Sequence, residues 1–169
     1  GCSANSSFKN CYVTNAGYIG SDGADMIGIN GGENIFENIY ITGGSGKIIC
    51  KNGSGKFLNS TFVNCYFTNS NSQSLTIDNC LISASSIPAY SAFTWSAGSL
   101  VIENCQFSQI RPFAVTNING FTFQNNRVYF PSATALLSSV DGINAGSSFK
   151  IQNNYFIGGS GTRIDFLAT

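Results

Sequence analysis

Histidine is absent from the 169-residue sequence, and charged residues make up only 9% of it. Without histidine, and without a Cys-x-x-Cys pair, the usual zinc ligand sets are missing, so we expect neither a metal nor another cofactor. The eight basic and eight acidic residues cancel. This balance argues against a nucleic-acid or anionic-membrane partner, because both require a cationic face. No apolar run reaches the length of about 18 residues that a membrane span needs, so we expect no membrane insertion.

What the sequence does contain is a short motif that recurs along the chain. Each copy alternates apolar and polar residues, reaches an Asn, and then alternates again. The copies are 6–13, 34–41, 60–67, 75–82, 100–107, 121–128 and 149–156, with Asn10, Asn38, Asn64, Asn79, Asn104, Asn125 and Asn153 at the shared position. Alternation with period two is typical of a half-buried strand, and Asn tolerates the left-handed backbone of a bend. The motif therefore predicts a strand, a one-residue corner and a second strand.

Internal repeats spaced by about 20 to 30 residues are typical of solenoids, in which each repeat covers its neighbour. The repeats lack the apolar period of about 3.6 residues that helices show. We therefore predict an all-β fold, a single-stranded right-handed parallel β-helix of about seven coils. Equivalent residues would stack about 4.8 Å apart, giving an Asn ladder and a stacked core of Cys, Ile, Phe and Val. We expect one domain over 1–169, a module of a longer fibrous chain.

One interval between bends is irregular. From Asn64 to Asn79 the chain is too short for a normal three-sided coil. Either the third bend is misplaced or that coil is pinched.

Four of the six cysteines directly follow a bend Asn. We expect Cys11, Cys65, Cys80 and Cys105 to form one inward column of small apolar residues. Disulfides between stacked coils are the alternative. Cys2 and Cys50 lie outside this column, and their redox state stays open.

The phrases Leu-Thr-Ile-Asp-Asn-Cys (75–80) and Leu-Val-Ile-Glu-Asn-Cys (100–105) resemble coils of the pectate-lyase-like superfamily. That superfamily includes polysaccharide lyases, polygalacturonases and the trimeric tailspikes of bacteriophages, and tailspike or tail-fibre domains are closest in character. The resemblance implies a homotrimer at the virion surface or another extracellular location, with cell-surface polysaccharide as its partner. It covers nearly the whole chain, but its motifs are those of a fold, and a fold alone does not define a function.

Catalytic candidates are few. The Ser21–Asp25 segment is similar to the Asn-Thr-Asp-Gly motif of polygalacturonases, but the Asp-Asp pair and the histidine of that family are missing. Asp78 and Glu103 precede the bend on successive coils. If stacked, they lie about 5 Å apart, the separation of an acid and a nucleophile in retaining glycosidases. The alternative is that they are two solvated surface acids.

Exposed aromatic residues are the stronger candidates for binding. Tyr12, Tyr40 and Tyr66 come two residues after a bend, so we expect them in a row on the outside. Such a row is a platform for sugars, a contact between trimer subunits, or a set of ordinary surface strand residues. Tyr90 and Trp95, on the long segment from Ser83 to Gly98, are a second candidate contact site, because loops on a rigid scaffold often carry recognition.

These observations favour a receptor-binding or structural β-helix that contacts cell-surface glycans. A polysaccharide-degrading glycosidase or lyase of the same superfamily is the alternative. A passive surface-adhesion rod is the third hypothesis.

Overall fold

A computed structural model describes residues 5–14, 25–29, 31–50, 53–69, 73–85, 91–130, 137–158 and 163–167. All regular elements in these ranges are β-strands. In chain order they are β1 (Ser7–Lys9), β2 (Tyr12–Thr14), β3 (Asp25–Ile29), β4 (Glu33–Glu37), β5 (Tyr40–Cys50), β6 (Ser54–Leu58), β7 (Thr61–Asn69), β8 (Ser74–Asp78), β9 (Leu81–Ser83), β10 (Ser91–Ser96), β11 (Ser99–Glu103), β12 (Gln106–Ser108), β13 (Arg111–Gln124), β14 (Arg127–Phe130), β15 (Leu137–Gln152), β16 (Tyr155–Gly158) and β17 (Arg163–Leu167).

The strands pair in parallel with strands of the next coil and form three faces of a solenoid. The first face contains β1, β4, β6, β8, β11 and the final parts of β13 and β15. The second face contains β2, the starts of β5 and β7, and β9, β12, β14 and β16. The third face contains β3, the ends of β5 and β7, β10, the starts of β13 and β15, and β17. The predicted class, an all-β parallel β-helix, is confirmed.

The first corner, between the first and second faces, carries the asparagine row. Its members are Asn10, Asn38, Asn59, Asn79, Asn104, Asn125 and Asn153, with φ between 51 and 56°. The third predicted member is wrong, because Asn59 rather than Asn64 occupies this corner. The backbone N–H of Asn38 donates to the carbonyl of Leu58 at 3.0 Å, and that of Asn59 donates to Asp78 at 3.1 Å. This assignment removes the short interval, so no coil is pinched.

Asn64 forms the second corner, between the second and third faces. Its φ is also left-handed, at 56°, and its Oδ1 accepts hydrogen bonds from the N–H and Oγ of Ser85 at 2.8 and 3.1 Å. Phe62-Val63-Asn64-Cys65 is thus a real corner motif, but it closes a different corner of the same coil. The third predicted repeat therefore begins five positions too late, since its bend was placed at Asn64 instead of Asn59.

The interior is a continuous apolar column. On the first face Phe57, Ile77, Ile102 and Phe123 stack in register with 0% exposure. The aromatic rings of Phe36 and Phe57 stack with centroids 4.4 Å apart. The predicted stacked core is present, because every second strand residue points inward and meets its equivalent one coil away.

Trp95 belongs to this core and not to an exposed loop. Its side chain is 1% exposed, so the expectation of a surface contact at Trp95 is wrong. The physical reason is that Ser91–Ser96 is a third-face strand, β10, in which Phe93 and Trp95 point inward while Thr94 and Ser96 point outward. Tyr90, the other predicted member of that contact site, lies outside the described residues.

The cysteines divide into three environments rather than one column. Cys80 and Cys105 occupy the inward position after the first corner and are buried. Cys65 is buried beside the second corner, because its Asn belongs there, and Cys11 is exposed on the first coil. All four are free thiols. Cys2 and the side chain of Cys50 lie outside the described residues.

Candidate functional site

In several coils the first corner is stabilised from inside by the side chain that follows the Asn. The backbone N–H of Cys105 donates to Asn126 Oδ1 at 2.9 Å, and Asn126 Nδ2 donates to the carbonyl of Ile102 at 3.0 Å. Ser60 accepts in the same way from the N–H of Ile39 at 3.1 Å. Each side chain therefore satisfies backbone groups of the preceding coil that the bend leaves unpaired, which buried polar groups require.

Thiols take the same position in two coils. Cys80 Sγ accepts from the N–H of Ser60 at 3.4 Å, so this cysteine is a hydrogen-bonding residue as well as an apolar one. Two effects raise the pKa of the Cys105 thiol. The larger is its hydrogen bond with the Cys80 thiol, and the second is burial. Such buried protonated thiols are poor nucleophiles.

On the outside of the corner, amide side chains form an interrupted row. Asn38 Nδ2 donates to Asn10 Oδ1 at 2.6 Å, and Asn79 Nδ2 donates to Asn59 Oδ1 at 2.8 Å. The row breaks at the next coil, because Asn104 Nδ2 donates to Asp78 Oδ1 at 2.7 Å instead of to Asn79. Among the described residues no donor reaches Asn79 Oδ1, which is left as an exposed acceptor.

A trough of about 240 Å³ lies beside this break. It runs along the corner over three coils, between the asparagine row and the outward residues of the second face. Its lining consists of Asn59, Ser60, Thr61, Asn79, Cys80, Leu81, Asn104 and Gln106. None of these residues is charged, and Leu81 is 40% exposed. The trough therefore offers hydroxyl and amide groups beside one apolar side chain.

Tyr40 stands at one end of this trough. It is in register with Thr61, one coil before it, and its ring stacks on Tyr12 with centroids 4.8 Å apart and planes 18° apart. Stacked rings turn one side toward each other. The opposite side of the Tyr40 ring therefore points along the rod toward the smaller Thr61. The Tyr12–Tyr40 pair thus presents hydroxyls and ring edges outward, and one ring face toward the trough.

The predicted row of three tyrosines is shortened to this pair. Tyr66 lies on the third face in register with Lys47, and it is half-buried there. Its place on the second face is taken by Thr61. The error follows from the third corner, because Tyr66 comes two residues after Asn64 and not after Asn59.

Asp78 and Glu103 are in register on neighbouring strands of the first face, as the sequence predicted. Each carboxylate is held by an amide of the following coil. Asn104 donates to Asp78, and Gln124 Nε2 donates to Glu103 Oε1 at 2.7 Å. Neither acid lines the trough. In this structure the pair acts as a set of acceptors that links successive coils.

Arg127 follows the trough at its other end. It is in register with Gln106, it is exposed, and its guanidinium lies 5.9 Å from the centroid of the Tyr155 ring. Thr61, Gln106 and Arg127 were not predicted as site residues. Gln106 and Arg127 come two residues after the correctly predicted bends at Asn104 and Asn125, so the sequence already places them in the outward column of Tyr40. Placing the third bend at Asn59 would have added Thr61 to that column.

The described residues contain no group of three or more His, Cys, Asp or Glu side chains placed to hold a metal ion. Within the same ranges, no helix is long and apolar enough to cross a membrane.

Comparison with known proteins finds no matching family model, curated protein or solved structure. The class of the protein is therefore defined by its own geometry. It is a parallel β-solenoid with an uncharged polar trough along one corner.

Proposed function

We propose that the protein is a recognition module that binds glycans along its second face, similar in role to the receptor-binding β-helix of a phage tailspike or tail fibre. The observation that carries the proposal is the trough beside the first corner. It combines exposed amide and hydroxyl groups with an apolar side chain, and none of its lining residues is charged. The aromatic ring of Tyr40 lies one coil before it, in register with Thr61.

This combination suits a sugar, which presents hydroxyl groups at its rim and C–H groups on its faces. Thr61 and Gln106 both donate and accept hydrogen bonds, and Asn79 Oδ1 supplies an acceptor. Leu81 and the free ring face of Tyr40 supply apolar contacts, which fix orientation together with a few polar groups. Because the trough follows the coils, we expect the glycan chain to lie parallel to the rod axis.

The proposal is tested by screening the protein against immobilised glycans and then titrating the best ligand by calorimetry. Tyr40→Ala and Gln106→Ala should each weaken binding about tenfold, equivalent to about 1.4 kcal/mol. Tyr129→Ala is the matched control, because Tyr129 is 45% exposed on the same face but lies in register with Ser108, outside the column that contains Tyr40 and Gln106. Wild-type affinity in both Tyr40→Ala and Gln106→Ala would contradict the proposal, as would the absence of any glycan ligand.

An alternative function is polysaccharide cleavage, and one observation favours it. Asp78 and Glu103 are neighbours in register, and the strand separation of about 4.8 Å is close to the distance of about 5 to 5.5 Å between the carboxyl groups of a retaining pair. Against it, both carboxylates accept amide hydrogen bonds and neither faces the trough. Reducing-end release from a bound polysaccharide that disappears in Asp78→Asn/Glu103→Gln would establish the alternative. We expect no release from either form.

We further propose that the module forms a homotrimer within a longer fibrous chain at a virion or cell surface. This part rests on the similarity of its repeats to tailspike coils. Sedimentation equilibrium tests this part of the proposal. A monomer at all concentrations would contradict the trimer but would not contradict the glycan site. A passive adhesion rod is the remaining hypothesis, and it predicts no saturable glycan binding.

A further inference from the structure

Within the part of the chain that the structure describes, Arg127 has no ion-pair partner, and it lies at the end of a neutral trough. It lies one coil beyond Gln106 in the same outward column. The ion pairs among the described residues, Lys9–Glu37 and Lys56–Glu33, are both on the first face. The described second-face strands contain no Asp or Glu, so no carboxylate of that face neutralises the guanidinium.

The guanidinium is nevertheless held in place. It lies over the Tyr155 ring at 5.9 Å, within the range of a cation–π interaction. A side chain positioned in this way loses less conformational freedom when it binds a ligand. Its planar donors match the two oxygens of a carboxylate, which arginine binds bidentately, as it does phosphate.

We propose that Arg127 makes the site selective for acidic glycans, by pairing with a sugar carboxylate while the neighbouring sugars occupy the trough. This inference rests on the proposed glycan-binding function. Tyr40 and Arg127 are separated by four coil steps, or about 19 Å. The acidic sugar therefore lies several residues along the chain from the sugar that contacts Tyr40. Opposite ends of one ligand are recognised by an aromatic ring and by a positive charge.

The experiment compares one oligosaccharide in two forms, a uronic-acid-containing chain and the same chain after its carboxylates are reduced to primary alcohols. Calorimetric titration of wild-type protein should show about tenfold tighter binding of the acidic form, because charge-assisted hydrogen bonds are about twice as strong as neutral ones. Arg127→Gln should remove this preference and leave affinity for the reduced form within about twofold. Arg127→Lys should retain part of the preference, since lysine keeps the positive charge but lacks the planar pair of N–H donors.

Two controls separate this inference from general electrostatics and from the proposed function. Lys150→Gln makes the same charge change at an exposed residue of the first face, and it should leave the preference unchanged. Tyr40→Ala should weaken both forms of the ligand equally. A sulfated form of the chain tests the anion, and equal binding of sulfate and carboxylate would overturn the assignment to a carboxylate.

The possible outcomes are distinct. If wild-type protein binds both forms equally, or if Arg127→Gln keeps the preference, the inference is wrong and the glycan site stands. If neither form binds and no other glycan binds, the proposed function fails and the inference fails with it. Arg127 is exposed, so an unchanged melting temperature should show that Arg127→Gln remains folded.

Discussion

Both corners contain the pair Asn-Cys, as at Asn79-Cys80 in the first corner and Asn64-Cys65 in the second, yet only the first corner repeats its asparagine in every coil. At the second corner, Asn64 and Gln109 have left-handed φ values of 56 and 59°, while Ala84, the equivalent residue of the coil between them, has no positive φ. The first corner also has an inner row of hydrogen-bonding side chains. The comparison teaches that Asn-Cys determines a local bend, while the stacking of bends depends on what lies one coil away.

The largest expected effect comes from breaking the inner row at the first corner. Asn126→Leu leaves the buried N–H of Cys105 without its partner and removes a hydrogen bond to the carbonyl of Ile102, and it should lower the free energy of unfolding by about 2 to 4 kcal/mol. Chemical denaturation measures this loss. Asn126→Ser is the control and should cost less, because Ser60 fills the same position in an earlier coil. A loss below about 1 kcal/mol in Asn126→Leu would show that the row contributes little.

The register that distinguishes the corners can be tested directly with engineered disulfides. In a Cys11→Ser background, Thr61→Cys/Leu81→Cys should cross-link, because these positions are in register and stacked Cα atoms lie within disulfide range. The bond should stabilise the protein by up to about 3 kcal/mol. Tyr66→Cys/Leu81→Cys should not cross-link, since Tyr66 is on the third face. Peptide mapping of the oxidised proteins decides between the registers, and a Tyr66–Leu81 link would refute ours.

The outer row should be less costly to break. Asn79→Ala loses the hydrogen bond to Asn59 and places a Cβ residue without a polar side chain at φ 53°, so we expect a loss of about 2 kcal/mol. Asn79→Gly keeps the backbone conformation and should lose about 1 kcal/mol. Equal losses in the two variants, measured by thermal unfolding, would mean that backbone strain is not the reason for Asn at this corner.

The last effect concerns the second corner and appears only at alkaline pH. Burial raises the pKa of the Cys65 thiol to about 12. Above the unfolded pKa of about 9 the unfolded thiol loses its proton while the folded one keeps it, so stability falls as pH rises from about 9 to 12. Below about pH 9 this thiol contributes no pH dependence.

The contribution of Cys65 is isolated by comparison with Cys65→Ser, because tyrosines and lysines titrate in the same range. The difference in unfolding free energy between the two proteins should change between about pH 9 and 12 and stay constant below. A constant difference up to pH 12 would mean that the Cys65 thiol ionises as easily in the folded state as in the unfolded one.

Most of the fold could be predicted because alternation and the recurring Asn are local signals. The corners at Asn10, Asn38, Asn79, Asn104, Asn125 and Asn153 were all located correctly. Asn59 was missed because Gly55-Lys56-Phe57-Leu58 begins with a glycine and a lysine, which weaken the strand signal, and because Asn64-Cys65 matches the motif better. Local similarity cannot distinguish two corners of the same coil.

The candidate site was only partly predictable for the same reason. Tyr40 and the Asp78–Glu103 register followed from correctly placed corners. Thr61, Gln106 and Arg127 have no individual signal in the sequence, since polar residues on a strand surface are common. They become a site only when stacking places them in one column between Tyr40 and Tyr155. Trp95 was assigned to the surface because the preceding segment contains proline and serine, whereas burial of its ring depends on β10 pairing with β13.

The sequence by itself determined that this chain is a β-solenoid, because a repeated pattern of strand and bend can bury its apolar side only against copies of itself. Tertiary structure alone decided which asparagine belongs to which corner, which thiols are buried, and which polar side chains meet in the trough. Those outcomes depend on the length of chain between bends and on contacts one coil away. The sequence of a single repeat contains neither kind of information.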